Sequence, residues 1–267
     1  VISRISPSVT PFPPGFEQQY FSEGERTFIE APFGCKYDDL KKKGEYEKYL
    51  QASLCRNDPE AIIYRSNDEA KKAQATGSVE LFKIAAVIAL KKQADLSQEI
   101  LRGVAIAQEA FNRFSNDKKL VVTIANEDDT EDTKTAEDIA RFLAEDRNRK
   151  GILGVIGHFN STTTQAAAPS YEENGLVAIS VTSTAPRKTE TIPNGVVLNS
   201  YMFRTALNDS FAVNELLKHI SENGYRKVVV IHDNTIYSEA FKELVKNVFP
   251  AKVNLLIPDE CNLSGAK

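Results

Sequence analysis

Short apolar runs alternate with amphipathic helical segments from residue 77 onward, and this alternation constrains the fold more than any other feature of the sequence. Apolar runs at 82–90, 120–125, 152–156 and 176–180 are separated by helical patterns over 96–114, 132–146 and 165–173. Such an order of strands and helices is typical of a parallel sheet that is covered by helices on both faces. The sequence therefore predicts an α/β fold.

A second block of the same kind follows a break near residues 186–206, which contains Pro186, Pro193 and the turn signal Asn194–Gly195. Its predicted elements are an extended piece at 203–205, helices over 211–223 and 238–248, and strands over 227–232 and 253–257. Two successive blocks predict two lobes, the first over residues 77–200 and the first part of the second over 201–267.

The N-terminal third has a different character. Residues 1–34 begin with a stretch rich in Pro and Ser, so we expect an extended arm there, either a tether to a membrane anchor or a plain chain terminus. Residues 35–76 carry apolar side chains at helical spacing, with Gly44 as a break and Asp58–Pro59 opening a second helix. This pattern predicts a helical hairpin similar to one tetratricopeptide-type repeat, which must pack on the following domain or on a partner.

Composition excludes several classes of protein. The 267 residues carry a formal net charge of −4, so the chain lacks the basic field of nucleic-acid-binding proteins. Its longest apolar run falls well short of the ~20 residues that cross a bilayer. The first residues do not form a basic-then-apolar leader, which leaves open whether a signal peptide was never present or precedes the printed sequence.

The three cysteines, Cys35, Cys55 and Cys261, form no metal-binding pair with one another or with histidines, so we expect no metal site. Cys35 and Cys55 flank a predicted helix and could form a disulfide in an oxidising compartment. Two buried free thiols are an equally simple interpretation, and we favour it on the sequence alone.

Signatures of catalysis are absent from the sequence. There is no GxSxG elbow, no GxxxxGK[ST] phosphate loop and no HExxH helix, and the glycines at 151, 154 and 157 bracket a strand instead of following one. His158 and His232 fall at predicted strand ends, where a hydrogen-bonded structural histidine is the simpler interpretation. We expect no enzyme activity and no cofactor.

Two loops rich in hydroxyl groups follow the third and fourth predicted strands. The first contains Ser161 and Thr162 where a helix must begin, and the second contains Thr182, Ser183 and Thr184. In a doubly wound sheet, ligands bind at the carboxyl ends of the strands, where helix N-termini attract carboxylates. Both loops are therefore candidates to hold one small polar ligand, although Ser and Thr are also common as plain helix caps.

The same segments resemble the Leu/Ile/Val-binding type of periplasmic binding protein, which has the type I fold of receptor ligand-binding regions. The resemblance covers about residues 80–260, and the helical piece before it is similar to an arrangement in cyanobacterial branched-chain-amino-acid-receptor-like proteins. The segments that carry it are 98–104, 154–158, the Ser/Thr run, 165–169, Tyr171–Glu172, 175–180, 184–186, 203–205, 228–233 and Tyr237–Ser238.

This resemblance implies roles for particular residues. Ser161 and Thr162 match the loop that holds the ligand carboxylate, Thr182 to Thr184 match the loop that takes the ammonium group, and Tyr237 matches an aromatic residue that closes over the ligand. Asp209 lies near the crossover between lobes, where a structural role is expected. The family also implies that the second lobe is incomplete in this chain, and that the usual acidic partner of the ammonium lies beyond it.

The implied function is an extracytoplasmic receptor for a small polar ligand, with an amino acid as the expected class, that delivers it to an ABC-type importer. A ligand-sensing domain of a membrane signalling receptor, a helical scaffold with an inert α/β part, and an enzyme are the alternatives. The family usually has a Gly/Pro-containing loop after the first strand, whereas this chain has Lys91–Lys92–Gln93–Ala94–Asp95–Leu96. The identity of the ligand therefore stays open.

Overall fold

The computed structural model describes residues 11–32, 35–90, 92–127, 133–187, 200–233, 235–249 and 254–256. The expected turn at Asn194–Gly195, the ends of the strand expected at 253–257, Cys261, Lys91 and the first ten residues lie outside these ranges. The helices are α1 (Phe16–Tyr20), α2 (Asp38–Lys42), α3 (Tyr46–Leu50), α4 (Pro59–Ala75), α5 (Ala94–Phe114), α6 (Thr133–Lys150), α7 (Ser161–Asn174), α8 (Asp209–Glu222) and α9 (Ile236–Val248). The strands are β1 (Phe21–Ser22), β2 (Glu80–Ile88), β3 (Lys118–Asn126), β4 (Ile152–Ile156), β5 (Val177–Ser180), β6 (Met202–Arg204), β7 (Lys227–Val229) and β8 (Asn254–Leu256).

Within the described ranges, six strands form one sheet in the order β1-β3-β2-β4-β5-β6. All neighbours pair in parallel except β1, which runs antiparallel to β3. A separate parallel pair, β7 and β8, belongs to the second block. The predicted α/β class with a dominantly parallel sheet is confirmed.

Alternate residues of the central strands point to opposite faces of the sheet, and both faces are buried. Ala85 and Val87 of β2 pack with α6 and α7, whereas Ala86 and Ile88 pack with α3, α4 and α5. Helices α8 and α9 form a third apolar cluster with β7 around Val213. The first lobe is therefore a three-layer structure whose parallel strands are nearly continuous in apolar side chains, as such sheets require.

The N-terminal segment is more structured than the sequence suggested. An extended arm is wrong for Phe16–Ser22, which forms α1 and the edge strand β1. The ring of Phe21 stacks on that of Phe142 with centroids 4.7 Å apart, and Phe16 lies beside them. The aromatic residues of this segment thus extend the core. A prediction based on the Pro and Ser content of the segment does not account for them.

The helical unit that follows is integrated into the first lobe. Its first half is two five-residue helices, α2 and α3, instead of one helix, because Gly44 between them adopts φ +74°. Asp58 caps α4 as predicted, since its side chain accepts a hydrogen bond from the Ala61 N–H. Tyr64 and Ile63 of α4 are enclosed against the sheet, so the unit packs on the domain that follows it. Its likeness to a tetratricopeptide repeat stays a prediction.

Side-chain amides from α4 and α5 close the outer edge of β3. Asn67 accepts from the Val122 N–H at 2.9 Å and donates to the Val122 carbonyl at 2.8 Å. Asn112 makes the same pair of bonds with Leu120, at 2.6 and 3.0 Å. Near the carboxyl end of the strand, β1 pairs with Ile124. The outward backbone groups at these three positions therefore all have partners.

A disulfide joins Cys35 to Cys55. Its Cα atoms are 5.5 Å apart, and the bridge links the segment before α2 to the turn before α4. Our preference for free thiols was wrong, because the packing of α2 and α3 on α4 brings together two cysteines that are 20 residues apart in sequence.

Next to the disulfide, the Lys41 side chain is fully enclosed between two carboxylates. Its Nζ lies 2.7 Å from Asp58 Oδ2 and 2.9 Å from Glu60 Oε2, and it donates to the Ile29 carbonyl at 2.8 Å. Tyr49 also donates to Asp58 Oδ2. Burial raises the pKa of Glu60, and the charge of Lys41 opposes that shift. The N-terminal unit is therefore anchored by a buried ion-pair cluster whose charges depend on one another.

Reduction of the disulfide should lower the free energy of unfolding by about 3 kcal/mol, because a loop of this length loses its cross-link in the unfolded chain. Urea unfolding with and without a thiol reductant measures this. The double variant Cys35→Ser/Cys55→Ser should unfold at the same urea concentration as the reduced protein. The reductant should not change the unfolding midpoint of this variant. A wild-type midpoint that does not move on reduction contradicts the prediction.

Lys41→Met should lower the free energy of unfolding by about 3–5 kcal/mol, because Asp58 and Glu60 would keep buried charge without a counterion. Lys42→Met is the matched control. Lys42 is 65% exposed and pairs with Asp38 on the surface, so its loss should change stability far less than the loss of Lys41. Equal effects of the two substitutions in chemical unfolding would refute the buried-pair argument.

Candidate functional site

Two loops with hydroxyl side chains leave neighbouring strands at the carboxyl edge of the main sheet. The first hydroxyl loop, residues 157–164, follows β4 and enters α7. The second hydroxyl loop, residues 180–186, begins at the end of β5. Strands β4 and β5 are adjacent and parallel, with Ile156 opposite Ile179, so both loops begin at the same edge.

The two loops meet at Ser161. Its Oγ accepts a hydrogen bond from the Ser183 Oγ at 3.2 Å and another from the Ala185 N–H at 3.2 Å. The two loops are therefore in direct contact, and their binding of one ligand stays a prediction. Since both bonds to Ser161 are accepted ones, its own hydroxyl proton can be donated to another group.

The remaining predicted residues of these loops differ in exposure. Ser183 is enclosed, and because its hydroxyl points at Ser161, we expect it to orient Ser161 instead of touching a ligand. Thr182 is half-buried, and its Oγ1 is buried without a hydrogen bond to any described residue. Thr162 is half-buried at the second position of α7, and no hydrogen bond links it to the second loop among the residues described.

Helix α7 begins four residues earlier than the sequence indicated, at Ser161 instead of Gln165. Asn160 caps it by accepting from the Thr163 N–H at 2.8 Å, and the Thr163 hydroxyl accepts from the Asn160 N–H. This capping box explains how a Ser/Thr run of low helix propensity forms a first turn. The N-terminal amides of α7 thus lie at the point where the two loops meet, which suits an anionic group.

Two side chains from the second block reach the same place. Helix α8 begins at Asp209, whose N–H donates to the Thr184 carbonyl at 2.8 Å. Asp209 is 8% exposed, and its Oδ2 has no hydrogen-bond partner among the residues that the structure describes. Tyr237, the second residue of α9, is 38% exposed and interacts with Asp209 and with the Thr184 side chain. The structure therefore brings Ser161, Thr184, Asp209 and Tyr237 into one neighbourhood.

The electrostatics of this neighbourhood are set by Asp209. Burial raises the pKa of its carboxyl group above the ordinary value, although the hydroxyls of Tyr237 and Thr184 and the charge of Arg204 act in the opposite direction. Burial and the nearby Asp209 carboxylate likewise raise the pKa of the Tyr237 phenol, which therefore stays protonated. A buried carboxylate with an oxygen that no described residue uses is a good partner for a cation.

Arg204 binds the backbone carbonyl groups of the second hydroxyl loop. Its Nη1 donates to the Ala185 carbonyl at 2.6 Å and to the Ser183 carbonyl at 3.3 Å. Burial and the neighbouring Arg187 lower the pKa of Arg204, while Asp209 raises it. The half-buried guanidinium therefore holds the loop backbone and lies close to Asp209.

Sequence reasoning missed Asp209 and Arg204 as members of the site. The sequence alone predicts a structural role for Asp209 because it falls near the crossover between the lobes. The signal that could have been used is its position: it begins the first helix after β6, the strand that extends the sheet next to β5.

Other kinds of site receive no support from the described ranges. These residues contain no group of three or more His, Cys, Asp or Glu side chains placed to hold a metal ion. None of the helices formed by these residues combines the length and the apolarity of a membrane span. Cavities of about 310 Å³ beside β1 and about 470 Å³ between α4 and α5 include no residue of either hydroxyl loop.

Comparison with known proteins agrees with this arrangement. The "Leu/Ile/Val-binding protein homolog 1" of Brucella abortus is 34% identical over 154 residues, which are 55% of this chain and 38% of that protein. The "Leucine-specific-binding protein" of Salmonella typhimurium is 34% identical over 45% of this chain and 30% of its own length. This chain thus spans less than half the length of the curated relatives it matches.

Solved structures show the same fold. An ABC transporter substrate-binding protein from Desulfitobacterium hafniense, in complex with Leu, matches with a TM-score of 0.54 and 23% identity, over 69% of this chain and 52% of that one. A periplasmic binding protein from Burkholderia mallei matches with a TM-score of 0.55 and 19% identity, over 66% of this chain and 44% of its own. The likeness to cyanobacterial proteins stays a prediction.

The family profile described as "Periplasmic binding protein" matches residues 92–256, which include both hydroxyl loops, Asp209 and Tyr237. Because that match covers more than half of the chain, and because the sheet and its carboxyl edge have the geometry that the sequence resemblance implied, the protein belongs to the periplasmic binding protein family.

Proposed function

We propose that this chain is the ligand-binding part of an extracytoplasmic solute receptor, and that its ligand is an amino acid. The observation that carries the proposal is the meeting of Ser161, Thr184, Asp209 and Tyr237 at one edge of the sheet. The curated relatives, named as Leu/Ile/Val-binding and leucine-specific-binding proteins, make leucine the first ligand to test.

The two halves of the neighbourhood suit the two charged groups of an amino acid. The N-terminus of α7, with the Ser161 hydroxyl and Thr162, presents donors to the carboxylate. On the other side, the Asp209 carboxylate, the Thr184 hydroxyl and groups of Thr182 present acceptors to the ammonium group. Asp209 thus supplies an acidic partner for the ammonium within this chain.

Binding would draw the two lobes together. Ser161 and Thr184 belong to the first lobe, and Tyr237 belongs to α9 of the second. A ligand held by both would favour the closed state over the open one, and the closed surface would be recognised by a partner. We propose the permease of an ABC importer as that partner, and a signalling domain in the same polypeptide as the alternative.

An extracytoplasmic location follows from the same proposal. The Cys35–Cys55 disulfide supports it, because such bonds persist in oxidising compartments. The part of the N-terminal arm that precedes α1 would serve as the link to a membrane anchor if the receptor is tethered.

Leucine should raise the melting temperature of the protein, because a ligand that binds only the folded state stabilises it, by about 2.7 kcal/mol at a hundredfold excess over Kd. A thermal-shift screen against leucine, isoleucine, valine, other amino acids, small amides and organic acids measures this. Ser161→Ala should reduce the leucine shift, since it removes the donor at the carboxylate.

Ser170→Ala, near the other end of α7, is the matched control and should leave the shift unchanged. The proposal fails if no compound at millimolar concentration raises the melting temperature. An equal loss of the leucine shift in both serine variants would remove the assigned role of Ser161.

Leucine affinity should fall as the pH drops below the raised pKa of Asp209, by about tenfold per pH unit for one linked proton. The reason is that the ammonium group binds the ionised carboxylate, so a proton must leave before the ligand can bind. Titration calorimetry from neutral pH to about pH 4 measures this. Asp209→Asn should bind weakly at neutral pH and show a flat profile.

Asp138→Asn is the control for a general loss of negative charge, since Asp138 lies on α6 and pairs with Lys134 and Arg141 away from the site. It should keep both the wild-type affinity and the wild-type pH profile. A wild-type profile in Asp209→Asn would show that another group binds the ammonium.

A further inference from the structure

A buried group of titratable side chains lies directly beneath the two hydroxyl loops. Glu127, His158 and Tyr171 are each 0% exposed. The His158 Nδ1 is 2.6 Å from Glu127 Oε2, and its Nε2 is 2.8 Å from the Tyr171 hydroxyl. Burial, with a smaller effect from Glu127, raises the pKa of Tyr171 far above its ordinary range, so the phenol stays protonated.

The second oxygen of Glu127 holds the first hydroxyl loop. Glu127 Oε1 accepts from the Phe159 N–H at 2.8 Å and lies 3.3 Å from Thr163 Oγ1. Phe159 precedes Ser161 by two residues and Thr163 follows it by two. One carboxylate at the end of β3 therefore binds the chain on both sides of Ser161, and hydrogen bonds to an ionised group are the stronger kind.

The same group also reaches the second hydroxyl loop. The His158 carbonyl accepts from the Ser180 Oγ at 3.0 Å, and the Ser180 Oγ in turn accepts from the Ser183 N–H at 3.2 Å. Bonds thus run from Glu127 through His158 to Ser183, whose hydroxyl points at Ser161. The position of Ser161 is fixed from two directions by bonds that both lead back to the Glu127 carboxylate.

Close packing leaves the loop little room to move away. A Cβ atom at Gly157, where φ is +131°, would lie 2.4 Å from the Val87 carbonyl oxygen. The backbone before His158 is therefore pressed against β2, and only glycine fits there. Because Glu127 and His158 have no exposed surface, neither can touch a ligand, and their bonds act on the residues that can.

We propose that Glu127, held in place by His158 and Tyr171, is a positioning residue for the ligand-binding loops, an inference that rests on the proposed function for its effect on affinity. The free protein would hold Ser161 and the α7 N-terminus in the geometry that binds the ligand. Without the carboxylate, the loop would have to be ordered at each binding event, and that cost would weaken the affinity.

Hydrogen exchange followed by mass spectrometry tests the positioning itself, with no ligand present. Glu127→Gln keeps the size of the side chain and removes its charge, so amides of residues 159–164 should exchange about tenfold faster. Leu101→Ala removes a fully buried side chain from the opposite face of the sheet. In this variant, the exchange of residues 159–164 should change no more than the exchange of the strands does. Tyr171→Phe, which removes only one bond of His158, should give a smaller increase and serves if Glu127→Gln does not fold.

Leucine affinity tests the consequence. Glu127→Gln should bind leucine about tenfold more weakly than wild type, whereas Leu101→Ala should bind within about twofold of it despite its lower stability. Unchanged exchange of residues 159–164 in folded Glu127→Gln, or faster exchange of equal size in Leu101→Ala, overturns the proposal. If wild type binds no amino acid, the proposed function fails, and the exchange result still decides whether Glu127 positions the loops.

Discussion

The parallel pairing of β2 with β3 is the interaction on which the rest of the structure depends. Their register is unbroken over nine residue pairs, from Glu80 opposite Lys118 to Ile88 opposite Asn126. Because the strands run the same way, every following strand of the block delivers its carboxyl end to one edge. The hydroxyl loops, Asp209 and Glu127 are neighbours for this reason, although they are far apart in sequence.

Much of the first lobe could be predicted from periodicity, because each of its elements has a local signature. The run around β2 and the amphipathic α5 were predicted with errors of two residues at their starts. The start of α7 was misplaced, since a Ser/Thr run has no helical periodicity and depends on the cap at Asn160. The N-terminal arm was also wrongly predicted at Phe16 and Phe21, which are buried in a cluster with the distant Phe142.

The site was predictable only in part. Ser161 and Thr184 stand in a recognisable strand-loop-helix pattern, and family resemblance adds Tyr237. The importance of Glu127 depends on His158 and Phe159, more than thirty residues later, and no local pattern indicates such pairs. Likewise, the bridge between Cys35 and Cys55 depends on how α2 and α3 pack on α4. Long-range geometry of this kind becomes visible only when the chain is folded.

Closure of the outer edge of β3 has a consequence for behaviour in concentrated solution. A strand with free outward amides and carbonyls is a template on which another chain can add a strand, which is how sheet proteins begin to aggregate. Here Asn67 and Asn112 use their carboxamides as substitutes for a neighbouring backbone. The first lobe therefore protects β3 from intermolecular β-pairing with two asparagine side chains and two residues of β1, without adding a full-length strand.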